Sequence, residues 1–145
     1  MIEALNNKDK KQLLNYLKEQ FDFNKKLDYN FFITQKNRIH IFNKNIEIDF
    51  SKIRINLLGV YFANIDSETR LTIEGSQIIG PCAKKNILEI DDQKLNEWMH
   101  GNDIKTNKEF KGFVLIKNNN DFYGSGKYKE GKIINYIPKE RRLKN

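Results

Sequence analysis

One cysteine, two prolines and two histidines among 145 residues leave little material for several kinds of chemistry. A lone thiol, Cys82, forms no internal disulfide and builds no multi-thiolate metal site, so a reducing, cytoplasmic setting is expected. His40 and His100 stand far apart, and no Cys/His cluster supports a structural zinc. Long apolar runs are missing as well. No stretch approaches the roughly 18 residues of a membrane-spanning helix. The start, Met1-Ile2-Glu3-Ala4-Leu5, lacks the basic flank and apolar core of a secretory signal. The expectation is a protein with no membrane partner, no metal and no cofactor. The length suits one ordinary core or two small units packed together, not a nucleotide-dependent enzyme with an appended binding domain.

What is present is aromatic and basic. A 39% hydrophobic fraction with 10 Phe and 6 Tyr is enough for a folded body, and 31% charged residues is high without being disorder-like. The net charge of +7 is not spread evenly. Residues 1–104 carry 15 Lys/Arg against 15 Asp/Glu, whereas residues 105–145 carry 11 against 4. Charge so segregated points to a polyanionic partner on one part of the surface.

Along the chain, Leu13, Leu14, Leu17 and Phe21 recur at helical spacing and predict a helix over 9–21 with a core-facing stripe. Tyr29 to Thr34 and Arg38 to Phe42, separated by Gln35-Lys36-Asn37, read as a hairpin. Ile46, Ile48 and Phe50 continue a strand-like alternation, Ser51-Lys52-Ile53 turns, and Arg54 to Asn64 supplies an apolar run interrupted by Gly59. Gly59 permits a bulge or a close passage between subdomains. A soft boundary is placed there, giving units 1–58 and 59–145. Leu71 to Gly80 leads into a short helix burying Ile78, Ile79, Cys82 and Ala83. Asn86 to Ile90 is a strand, and Asp91 or Asp92 caps a helix with Leu95, Trp98 and Met99 on one face, stopped by Gly101. Gly112 to Lys117 is a strand, Asn118 to Asp121 a turn, Phe122-Tyr123 the start of the returning strand, and Lys132 to Ile137 a last strand ending at Pro138.

The final segment concentrates the candidate chemistry. Gly124, Gly126 and Gly131 allow a strand to bend or a backbone to approach a ligand, and Lys127, Lys129 and Lys132 offer cationic heads beside them. The spacing is not that of a phosphate loop, which ends in Gly-Lys-Ser/Thr. Tyr123, Tyr128 and Tyr136 interleave with the lysines and can stack on bases, and Asn135 can read a base edge. Lys139, Arg141 and Arg142 follow Pro138, and an arginine can clamp a phosphate through two parallel donors. Each residue alone is an ordinary core, rim or surface residue. Their clustering raises nucleic-acid contact above that reading.

Gly112 to Lys117, Gly124-Ser125-Gly126-Lys127 and Lys132-Ile133-Ile134-Asn135-Tyr136-Ile137-Pro138-Lys139-Glu140-Arg141 together resemble the PUA-like RNA-binding domain found at the C-terminus of cytosine-5 RNA methyltransferases and in small separate proteins. The helix, hairpin and Phe50-to-Leu58 pattern of the first 58 residues is similar to the pre-PUA unit of small ribosome-biogenesis factors. The resemblance implies an α+β fold, a PUA-like mixed β pseudobarrel with short helices preceded by a small α/β pre-PUA unit. It also implies ribosomal or transfer RNA as the partner class.

Pro81-Cys82 is superficially similar to the Pro-Cys pair of the methyltransferases, but Gly80 replaces the acidic residue before it and the chain has no glycine-rich S-adenosylmethionine site. Asp66, Glu68 and Glu74 form a Mg²⁺ site only if the fold gathers them. The expected function is therefore noncatalytic: binding of structured rRNA, ahead of tRNA, in ribosome biogenesis, rRNA processing or tRNA modification. A protein-docking module for an RNA methyltransferase or ribosomal protein is the alternative, with a small nuclease or methyltransferase behind both.

Overall fold

Leu13, Leu17 and Phe21 stand four residues apart, so a helix carrying them has one apolar stripe. In the computed structural model, which describes residues 2–44 and 59–145, that helix is α1 (Asn7–Phe21). Asn6 caps it, its side-chain oxygen accepting from the Asp9 amide at 2.8 Å. Asp22 ends it in the left-handed conformation, φ 51°. Before the helix, β1 (Ile2–Ala4) pairs with β2 (Tyr29–Thr34), which turns through residues 35–37 into β3 (Arg38–Asn43). β4 (Val60–Asn64) and β5 (Arg70–Leu71) complete an antiparallel five-stranded sheet in the order β1-β2-β3-β4-β5. The expected alternation at Ile46, Ile48 and Phe50, the turn at 51–53 and the apolar residues Leu57 and Leu58 lie outside the described residues.

The second sheet, β6-β8-β9-β10-β7, is built from β6 (Ile87–Glu89), β7 (Ile104–Lys105), β8 (Phe113–Asn118), β9 (Asp121–Lys129) and β10 (Lys132–Ile134). Only its β6–β8 pair is parallel. Two short helices, α2 (Ile73–Ile79) and α3 (Asp92–Met99, capped by Asp91), join the strands. Cys82 sits half-buried at the end of a 3₁₀ turn that follows α2, against the first core.

β8 explains how the two sheets hold together. Its run Phe113-Val114-Leu115-Ile116 is buried on both faces, as continuous apolar strands are when both sides are covered. Phe113 and Leu115 join Leu13, Leu17, Phe21, Ile39, Phe62 and Phe122 in one core. Val114 and Ile116 join Trp98, Ile104, Ile133 and Ile137 in a second. Fully burying each such side chain contributes about 1.5–3 kcal/mol. β3 and β4, which flank the expected division between 58 and 59, are neighbours in the first sheet. Gly59 makes its close passage within that sheet, where a Cβ would lie 2.4 Å from the Ile41 carbonyl oxygen.

Polar contacts reinforce the joint. The Thr72 hydroxyl donates to the Tyr61 carbonyl at 2.6 Å and accepts from the Gly75 amide at 3.0 Å, seating α2 on β4. Ser76 accepts from the Gly124 amide at 2.8 Å, and Ser125 donates to the Leu71 carbonyl at 2.9 Å. From α1, the Gln20 amide donates to the Phe113 carbonyl at 2.7 Å.

Candidate nucleic-acid interface

The strand after the β8–β9 turn does not stop at its glycines. β9 runs through Gly124, Gly126 and on to Lys129, and the expected bend for ligand approach gives way to packing. At Gly126 a Cβ would lie 2.3 Å from the Ile134 carbonyl oxygen and 2.7 Å from the indole of Trp98, so this glycine makes room for the tryptophan. Gly124 is buried at φ 92° beside Ile73. Glu130 and Gly131, both at positive φ, form the two-residue turn that brings Lys129 opposite Lys132.

Several expected contact residues are engaged within the fold. Tyr123 is half-buried on the second core and its carbonyl accepts from the Trp98 indole N–H at 2.7 Å. Tyr128 is half-buried, edge-on to Phe110. Asn135 spends its side chain on the loop before it and the turn after it. Its Nδ2 donates to the Trp98 and Asn102 carbonyls at 2.7 and 3.0 Å, and its Oδ1 accepts from the Ile137 amide at 2.8 Å. Reading of a base edge by Asn135 would require breaking these bonds. The terminal arginines are also occupied. Arg141 donates to both carboxylate oxygens of Glu74 at 2.8 Å, and Arg142 Nε donates to the Ile137 carbonyl at 2.9 Å while its chain covers Gly101. Of the expected terminal phosphate clamp, Arg141 is thus bidentate on Glu74, whereas Arg142 engages through Nε alone. Lys127 pairs with Glu68, which holds its ammonium above the ordinary lysine value.

Three lysines remain in a row. Across β7, β10 and β9, Lys105 faces Lys132 and Lys132 faces Lys129. Directly opposed residues share a face with Cβ atoms about 5 Å apart, and like charges so placed repel. Lys132 reaches Asp103 at 3.8 Å, whereas Lys105 and Lys129 make no ion pair among the described residues. Lys139 is exposed in the 3₁₀ turn Lys139–Arg141.

A second row lies on the first sheet, where no local pattern in the sequence marks it. Arg38 faces Asn64 across β3–β4, and Asn64 faces Arg70 across β4–β5. The Arg38 guanidinium lies 5.4 Å from the Tyr61 ring and that of Arg70 5.2 Å from the Tyr136 ring. These residues line a cleft of about 350 Å³ closed on its far side by Gly124, Ser125, Ile137 and Arg141. Tyr136, 38% exposed, also meets Phe113 edge-on.

Among the described residues no three His, Cys, Asp or Glu side chains gather as a metal site. Glu68 and Glu74 are instead matched to Lys127 and Arg141. No described helix is long and apolar enough to cross a membrane.

Two sheets that share a core and are joined by short helices define a mixed α+β, PUA-like fold. Residues 85–143 match the family described as the methyltransferase RsmF PUA domain. A conserved PUA domain protein from Thermoplasma acidophilum superposes with a TM-score of 0.66 at 11% identity, over 95% of this chain and 94% of that one. No curated protein sequence matches the chain.

Proposed function

We propose that this is a noncatalytic RNA-binding protein acting on structured rRNA, or in second place tRNA, during ribosome biogenesis or RNA modification in the cytoplasm. The row Lys105–Lys132–Lys129 carries the reading. Three cations set opposite one another cost stability in isolation and gain it when a phosphate backbone lies across them. Lys127 and Lys129, two residues apart on β9, share that face. The match of residues 85–143 to a PUA domain supports RNA over other polyanions. Phosphate contacts of this kind give affinity and orientation, and the shape of the folded RNA supplies discrimination.

Fluorescence anisotropy on structured rRNA fragments over a salt series tests the reading. Each of Lys105→Ala, Lys129→Ala and Lys132→Ala is expected to weaken binding and to lower the salt slope by about one. Unchanged slopes in the triple variant would overturn it.

The match to a domain named for a methyltransferase also favours a second reading, a docking module for such an enzyme or for a ribosomal protein. Nanomolar capture of a purified partner, with no RNA retained at about 0.15 M salt, would select it.

A further inference from the structure

The lysine row lies on the second sheet. The cleft has its own row, Arg38–Asn64–Arg70, on the first sheet. Neighbouring strands stand about 4.8 Å apart, so the two arginines flank the amide on one face with their Cα atoms about 10 Å apart. Neither guanidinium has a carboxylate partner among the described residues; Glu74 is matched to Arg141, Glu68 to Lys127, and Asp66 accepts from the Asn37 side-chain amide. Glu140 is the one other acid on the wall.

Each cation also has an aromatic neighbour. The Arg38 guanidinium lies over the Tyr61 ring and that of Arg70 over the Tyr136 ring, a cation–π contact that favours these positions before anything binds. A guanidinium so placed still has N–H donors and a planar face to offer. The donors match a phosphate and the face matches a base. Between them the Asn64 side chain is anchored through its Oδ1, which accepts from the Asp66 amide at 2.9 Å, while its Nδ2 makes only bonds at the 3.5 Å limit, to the Lys36 carbonyl and the Tyr61 hydroxyl, and so keeps donor capacity for a ligand. The cleft, about 350 Å³, is at the small end of the about 300–1,000 Å³ of small-ligand sites. It has room for a nucleotide and none for a duplex.

We propose that the cleft holds one unpaired nucleotide, with its phosphate between Arg38 and Arg70 and its base flat on the Arg70–Tyr136 stack. This rests on the RNA-binding function proposed above when the nucleotide belongs to an RNA strand. The same chemistry would also take a free nucleoside monophosphate. In the RNA case the lysine row carries the paired backbone, and the arginine row captures a nucleotide that has left its helix.

Two RNA hairpins identical but for one bulged nucleotide, together with the four nucleoside 5′-monophosphates, separate the cases. Affinities are measured by anisotropy and by competition. Wild-type protein is expected to bind the bulged hairpin about tenfold more tightly than the paired one. Arg38→Ala with Arg70→Ala should abolish that difference and leave paired-hairpin binding within about twofold. Arg70→Lys, which keeps the charge and loses the plane, should retain paired-hairpin affinity and lose most of the preference. Circular dichroism confirms that each variant is folded. If no hairpin binds but a monophosphate does, and the double variant loses it, the cleft stands with a free nucleotide as its ligand and the RNA function fails. A preference for the bulge that survives in the double variant, no preference in wild type, or no binding of any probe overturns the cleft proposal. In the first two of these outcomes the RNA function stands.

Discussion

Arg141 reaches back across the chain to grip Glu74, one guanidinium nitrogen on each carboxylate oxygen at 2.8 Å. The pair fastens the final 3₁₀ turn to the first turn of α2. The hydrogen bonds from Arg141 hold the Glu74 carboxyl below its ordinary value against an opposing effect of burial. Both side chains are more than a third exposed, so solvent screening limits the pair to about 0.5–1 kcal/mol. A depressed carboxylate stabilises the fold above its unfolded pKa and loses that contribution as pH falls through the folded value. Glu74→Gln is therefore expected to lower stability by that amount at pH 7 and by almost nothing near pH 3. Urea titrations of both proteins across that range check it, and a difference that persists at pH 3 would refute the assignment.

Gly126→Ala is expected to cost about 3 kcal/mol, at the upper end of overpacking effects. The added methyl meets a backbone carbonyl and the Trp98 ring, neither of which can swing aside. Thermal melts followed by tryptophan fluorescence report both the loss and the disturbed indole. Full stability would show that the glycine serves something other than Trp98.

Lys129→Glu separates folding from binding. It replaces a Lys–Lys pair across β9–β10 with an opposite-charge pair, worth about 0.2–1 kcal/mol. The same change removes a cation from the proposed RNA face. Expected together are a slightly higher melting temperature and weaker RNA binding. If stability and binding fall together, the row is part of the scaffold.

His40 stacks on Tyr61 at 5.3 Å, and its Nδ1 is buried without a hydrogen-bond partner among the described residues. Burial first, and the charge of Arg38 second, push its pKa below the ordinary 6.5. The unfolded chain then takes up a proton before the folded one does, so stability should fall as pH drops below about 6.5. His40→Gln should flatten that limb between pH 7 and 5. An unchanged slope would assign it to other groups.

What the sequence reveals here follows from how local the cause is. Leu13, Leu17 and Phe21 announce α1, and Phe113 to Ile116 announce a strand buried on both faces, because each pattern is complete within a few residues. Strands β1, β5 and β7, of 3, 2 and 2 residues, carry no readable period and exist because a neighbour offers an edge. The glycines of β9 are conspicuous, but the reason for Gly126 is Trp98, more than 25 positions upstream, and Gly124 lies against Ile73. The arginine row escapes any linear reading. Its members come from three strands of a charge-balanced region, and only antiparallel register sets them side by side.

The shared core also bears on how the chain is made. Phe21, Ile39 and Phe62 pack with Phe113, Leu115 and Phe122, so the first sheet has no complete partner until β8 and β9 have been synthesised. A nascent chain halted before β8 would expose that aromatic surface to chaperones. Both cores then close, and the basic face comes into being, only after β8, β9 and β10 have emerged and folded onto the earlier strands.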